Sequence, residues 1–166
     1  MVFVLDRHKK PLMPTTPRRA RLLLARKRAV VHRLQPFTIR IKDRRVQESV
    51  LQPVVLKIDP GSRTTGLALA RVEETEAGEV HHGLHLSELT HRGEEIRDRL
   101  RKRAGYRRRR RSANLRYRPA RFLNRRRPPG WLPPSLRSRI GNVLSWATRY
   151  QRWVPLVRID VERVKF

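Results

Sequence analysis

Between Arg99 and Arg127 the chain carries 15 Lys and Arg and no acid, well inside a sequence of 166 residues. Arg107, Arg108, Arg109, Arg110 and Arg111 are consecutive. A helix turns about 100° per residue, so such a run points charge in every direction. No packed core accepts unpaired guanidinium groups. The stretch must therefore stay outside any core and meet water or a polyanion. Guanidinium forks hold phosphates bidentately, and each phosphate neutralised releases counterion. Tyr106, Tyr117, Phe122 and Trp131 are interleaved with the charges and offer rings for stacking or packing.

The rest of the charge is also segregated. Lys and Arg number 41 and Asp and Glu 14, a net charge of +27. Residues 7–45 hold 14 basic residues and one acid, while residues 73–98 hold 8 of the 14 acids. A merely solvated exterior mixes the signs, so two basic blocks divided by an acidic stretch indicate dedicated binding surfaces. Nucleic acid is the leading partner class. The absence of cysteine excludes a disulfide framework and Cys-based zinc sites. No apolar run approaches the roughly 20 residues of a membrane span, and MVFVLDRHKKP lacks the basic start of a signal peptide. The expectation is a cytoplasmic protein, nucleoid-associated when on DNA, with no membrane partner. Its length suits one domain or two small units sharing a core.

Along the chain, Val2 to Leu5 reads as a strand and Pro11-Leu12-Met13-Pro14 as a stiff extended segment. Thr16 and Pro17 start a helix to about Lys27, with Ala20, Leu23, Leu24 and Lys27 on one side. Val30 to Ile41 reads as extended and broken at Pro36, giving a small β-α-β unit. Residues 46–53 read as a linker. Val54 to Ile58, Gly66 to Val72 and Val80 to Leu89 form a meander, with Leu84, Leu86 and His82 placed on one face. Arg92 to Tyr106 is helical and leads into the arginine run. Ser135 caps a last helix to about Arg152, its stripe Leu136, Ile140, Val143, Leu144 and Ala147. Val154 to Val161 is the final strand. The expected class is α/β (α+β).

Two acids sit where apolar strands end. Asp59 closes VVLKID before a Pro-Gly turn, a geometry that holds a carboxylate rigidly above a sheet. Asp160 and Glu162 alternate with Val157, Ile159 and Val161, so the acids share one strand face and the apolar residues the other. Carboxylates so placed suit a divalent cation of the kind nucleases use. A turn former at Asp59 and acids paired with Arg158 or Arg163 are the plainer alternatives.

PLMPTTPRRARLLL, KIDPGSRTTGLAL, RRRRR and FLNRRRPPGWLPPS occur here in one order. Together they resemble the IscB family of transposon-associated, RNA-guided DNA endonucleases. By that resemblance residues 1–52 are a PLMP domain, 53–91 a first RuvC segment, 92–118 an Arg-rich bridge helix, 119–134 a basic Pro-rich connector and 135–166 a second RuvC segment. The resemblance implies a partial RNase H-like mixed sheet flanked by helices. It also implies that Asp59 and Glu162 are catalytic, metal-binding acids for Mg²⁺ or Mn²⁺. In the family an HNH domain and a third RuvC segment follow. The six histidines here show no HNH-like arrangement. The expectation is therefore the N-terminal portion of such an enzyme, with an incomplete carboxylate set that holds Mg²⁺ weakly.

The implied partners are a guide (omega-type) RNA and double-stranded target DNA, in a monomeric ribonucleoprotein. Arg103, Arg107 to Arg111 and Arg116 are the expected phosphate contacts of the bridge helix. Arg125, Arg126, Arg127 and Trp131 are assigned to the RNA scaffold, and Arg18, Arg19 and Arg21 to a further RNA contact. Two rivals remain at this point. A non-catalytic, ribosome-associated-like RNA-binding protein explains the charge but not the two strand-end acids. A stand-alone RuvC-type resolvase needs a complete acid set.

Overall fold

The first apolar run, VFVL, forms β1 (Val2–Leu5) and is buried along its whole length. A computed structural model describes residues 1–113 and 126–163. β2 (Pro11–Thr15), α1 (Pro17–Ala25), β3 (Ala29–Arg33) and β4 (Thr38–Ile41) follow, and the sheet order is β2-β1-β4-β3. β1 and β4 are parallel, and the two outer pairs are antiparallel. The expected β-α-β unit is thus a ββαββ unit. Pro11 and Pro14 lie on an edge strand, where a missing N–H is tolerated, and the break at Pro36 separates a hairpin. The Thr16 hydroxyl accepts from the Arg19 amide at 3.3 Å, with Pro17 opening the helix as expected. α1 ends at Ala25, so Lys27 lies beyond it with φ 56° and takes no part in the packing face. Ala20 joins Val4, Leu12 and Ile39 in this unit's core.

Asp6 is buried in the turn after β1. It accepts from the His8 and Lys10 amides at 2.7 and 2.8 Å and from the Val46 amide at 3.2 Å. Burial pushes its pKa up, but the three amides outweigh this and hold it below the usual carboxylate range. Asp6 thus pins the linker, which contains one 3-10 turn (Val46–Glu48) and packs Val46 and Leu51 on the first core.

The second sheet is the expected meander plus one parallel strand. β5 (Val54–Pro60), β6 (Thr64–Thr75), β7 (Gly78–Thr90) and β8 (Leu156–Val161) take the order β7-β6-β5-β8. β5 does not break at Asp59. It pairs with β6 through Asp59↔Gly66 and Pro60↔Thr65, because the proline sits at the strand's last position. A bulge sets Leu69 opposite His85 but Ala70 opposite Gly83. The extra residue, Leu84, packs on the core, while Leu86 faces the open side at 77% exposure. The simple alternation expected for His82, Leu84 and Leu86 fails at this bulge.

α2 (Gly93–Ser112) continues through all five arginines, and none of its residues is buried. α3 (Pro134–Trp153) begins at Pro134 after Pro133, so Ser135 lies inside the helix and caps nothing. Its core face is Val143, Trp146, Ala147, Tyr150 and Trp153, packed on Val54, Leu56, Ile58, Leu67 and Leu69. Leu136, Ile140 and Leu144 are exposed, which corrects the expected stripe by part of a turn. Aromatic volume decided the face: two Trp and a Tyr bury more area than three aliphatic residues. Phe3 reaches this core from the first unit, 5.4 Å from the Trp153 ring. Among the described residues the architecture is two mixed sheets and three helices, an α/β (α+β) fold.

Candidate carboxylate groove and nucleic-acid interface

α3 covers one face of the second sheet; on the other face Val55 and Ala70 are buried, and the end beside Asp59 is open. Strand alternation sends Lys57 and Asp59 of β5 to that other face, together with Asp160 of β8. β5 and β8 are in register through Lys57↔Asp160 and Ile58↔Val161. The Glu162 amide extends that ladder, donating to the Ile58 carbonyl at 2.9 Å. Asp59 and Glu162 each follow the Ile58–Val161 pair by one residue, on strands spaced roughly 5 Å apart. Both line one groove of about 500 Å³ with Lys57, Gly66, Leu86 and Asp160. The structure thus brings together the two acids singled out in the sequence. A side chain at residue 66 would begin 3.5 Å from the Asp59 Cβ, so Gly66 leaves the space beside that carboxylate open.

Two features of this groove escaped the sequence reading, the Arg158–Glu79 clamp and Lys57, while the Arg158–Asp160 ion pair is the plainer alternative already weighed for Asp160. Arg158 forks onto Glu79 at 3.1 and 2.8 Å and also meets Asp160 at 2.9 Å. The Arg158 hydrogen bonds hold the Glu79 carboxyl below its usual range. Glu79 is the second residue of β7, at the far edge of the sheet, so the β6–β7 tip coils over the face that carries Arg158 to reach β8. Asp160 is thereby occupied, whereas Asp59 and Glu162 make no ion pair among the described residues. Lys57 lies directly opposite Asp160. The repeated pattern Lys57-Ile58-Asp59 and Arg158-Ile159-Asp160 was the available signal, since alternation puts each cation on its acid's face.

The turn that ends β5 is tight. A Cβ on Gly61 would lie 2.2 Å from the Thr64 carbonyl oxygen. Gly61→Ala is therefore expected to force the turn open and cost roughly 1–3 kcal/mol of stability. Urea unfolding measures this, and a midpoint equal to that of the unmodified chain would refute it.

At the same end of the sheet, buried Thr65 hydrogen-bonds the His91 Nε2 at 2.7 Å, and the His91 amide donates to the Arg63 carbonyl at 2.8 Å. Burial, then the nearby Arg139 charge, hold the His91 pKa below its usual value. This joint fixes where α2 leaves the sheet. The acids of its first turns are neutralised locally: Glu94 by Arg63, Glu95 by Arg99, and Asp98 by Arg97. Among the described residues the later turns carry charge with no acidic partner. Arg103, Arg107 and Arg110 line one groove with Tyr106, and Arg108, Arg109 and Arg111 are likewise exposed.

Arg126, Arg127 and Trp131 face α2 across a second, larger groove. Arg116 and Arg125, with Tyr117 and Phe122, lie outside the described residues. Arg18, Arg19 and Arg21 are exposed on α1, a separate basic surface on the first unit, and Arg18 and Arg19 share a shallow groove with Arg26 and Arg28.

No helix among the described residues is long and apolar enough to cross a membrane. A search of curated proteins finds no match. A family profile described as RRXRR protein matches residues 2–166, and Arg107 to Arg111 satisfy the arginine pattern that this description spells. The match runs over nearly the whole chain: this is a member of the RRXRR protein family.

Proposed function

We propose that this chain is the RNA-gripping, metal-holding part of an IscB-like RNA-guided DNA endonuclease. RRXRR domains occur in nucleases of that type. The observation that carries the reading is the shared groove of Asp59 and Glu162, on a body that also projects a helix with no buried residue and five consecutive arginines. A plain RNA-binding protein has no need of two strand-end acids side by side with no ion pair among the described residues. In this reading RNA pairing supplies sequence specificity and the protein holds duplex backbone. α2 grips phosphates of the guide RNA and of the RNA–DNA heteroduplex.

The donor set fits Mg²⁺ or Mn²⁺. Mg²⁺ keeps several waters and takes one or two carboxylates plus substrate phosphates. Among the described residues no cluster of three or more His, Cys, Asp or Glu is grouped to hold an ion. Asp59 and Glu162 would therefore hold the cation weakly until a phosphodiester joins them. Once bound, it would stabilise charge on that phosphodiester and activate a water. Asp59 is held rigid by the β5–β6 turn, and Glu162 by the hydrogen bond that its backbone amide donates to the Ile58 carbonyl. Arg158 keeps Asp160 turned toward a cation of the protein itself.

Asp59→Asn and Glu162→Gln are each expected to weaken Mn²⁺ binding about tenfold or more, read by water-proton relaxation. Unchanged binding in both would remove the metal half of the proposal. If RNA binding persisted in that case, the chain would be a non-catalytic RNA-binding protein.

A further inference from the structure

We propose that the groove between α2 and residues 126–135 seats one unpaired nucleotide of the bound RNA, its base stacked on the Arg127–Trp131 pair. This rests on the reading of the chain as an RNA-binding protein. The Trp131 amide donates to the Pro128 carbonyl at 3.1 Å, and Gly130 has φ 73°. Pro129 and Gly130 are thus the central residues of a type II turn, which requires a positive φ at its third position. The turn folds Trp131 back along its own chain. The Arg127 guanidinium carbon lies 3.7 Å from the ring centroid, well inside the roughly 6 Å reach of a cation–π contact. The pair is set by the turn and is therefore preorganised before any ligand arrives. Trp131 still keeps 39% of its surface exposed.

The facing wall is one face of α2. Leu100, Ala104 and Arg107 succeed one another at helical spacing, with Arg97 and Arg101 beside them. The groove measures about 1100 Å³, slightly above the roughly 300–1,000 Å³ of clefts that enclose small ligands. Its apolar lining comes from Leu100, Ala104 and Trp131 and its charge from the arginines. Among the described residues Arg97 is paired with Asp98, while Arg101, Arg107 and Arg126 have no acidic partner. A flat aromatic surface beside unpaired guanidinium groups matches a base flanked by its phosphates. In a continuous duplex both faces of each base are covered, so the seat selects a nucleotide splayed out of the stack.

The test uses the full chain and two RNA hairpins, one with a single 2-aminopurine bulge and one fully paired. The bulged hairpin is expected to bind about tenfold more tightly, with its fluorescence quenched. Trp131→Ala should abolish both the preference for the bulged hairpin and the quenching. Trp131→Phe, which keeps a ring, should retain most of both. Thermal melts of both variants check that the fold persists. Equal affinity of the unmodified chain for the two hairpins overturns this inference and leaves RNA binding standing. Persistence of quenching in Trp131→Ala also overturns it. A DNA hairpin with the same bulge, bound as tightly as the RNA one, overturns the assignment to RNA. Failure to bind either RNA overturns both this inference and the reading it rests on.

Discussion

Alanine at all of Arg107 to Arg111 is expected to flatten the salt dependence of RNA binding by about two to three units of log K per log salt. The five side chains surround α2, and a nucleic-acid backbone passing along one side reaches roughly half the circumference. About three phosphate contacts are then lost, each contributing roughly 0.7 to 0.9 to the slope. Between about 50 and 200 mM KCl the unmodified chain should lose about thirtyfold more affinity than the variant. Near 150 mM the variant should bind about a hundredfold more weakly. Alanine is a stronger helix former than arginine, and no residue of α2 is buried. Helix content by circular dichroism should therefore be preserved, so lost affinity reports lost contacts. Filter binding across KCl concentrations gives the slope, and an unchanged slope would remove α2 from the interface. Arg101, Arg103, Arg126 and Arg127 remain in the variant and should sustain weak, salt-sensitive binding.

The fold was readable where one local rule acted alone. VFVL is a continuous apolar run and VVLKI is interrupted only by Lys57, and both became strands with buried apolar residues. Thr16-Pro17 is a cap followed by a first-turn proline, and α1 starts there. Errors arose where two local rules competed or where tertiary packing chose between equivalent faces. Two prolines marked residues 11–14 as extended without assigning them to a sheet; an edge position admits them, and no local sequence cue says which strand will be an edge. Period-two alternation placed Leu84 and Leu86 together until a bulge at Leu84 separated them. In α3, Leu136, Ile140 and Leu144 fit helical spacing as well as Trp146, Tyr150 and Trp153 do. The sheet took the aromatic stripe, and the aliphatic one stayed exposed.

The two acids were legible because each ends an apolar strand, so alternation fixes its face and the strand end places it at a rim. Their adjacency was legible only through the family resemblance. Nothing local in the sequence says that β8 runs parallel to β5 with Ile58 opposite Val161. The Arg158–Glu79 clamp was hidden for a similar reason. It joins residues far apart in sequence across a coiled sheet, and coiling depends on strand length, which the reading underestimated for β6 and β7.

Tyr150→Ala is expected to be the most destabilising of the substitutions considered, at about 3–5 kcal/mol. Tyr150 is 1% exposed and sits amid Trp146, Trp153 and His85, with ring centroids 5.9, 5.9 and 6.1 Å away. Its hydroxyl is 2.7 Å from the Ser87 Oγ. Burial pushes the phenol pKa up against the opposing pull of Ser87, so the group is neutral across the physiological range. Truncation leaves a ring-sized cavity and removes the shorter of the two hydrogen bonds that the Ser87 hydroxyl makes, the other being to the Leu67 carbonyl. For a chain of this size the melting temperature should fall by roughly 10 °C. Tyr150→Phe keeps the ring, loses one hydrogen bond and should cost only about 1 kcal/mol. The difference between the two variants isolates packing from the hydroxyl. The effect should reach the site, because α3 braces the face of the sheet opposite Asp59 and Glu162, and Gly93 of α2 abuts Ser135 at the start of α3. Mn²⁺ binding should weaken in Tyr150→Ala at temperatures where Tyr150→Phe still binds normally. Equal melting temperatures for Tyr150→Ala and the unmodified chain would show that α3 does not hold the sheet in place.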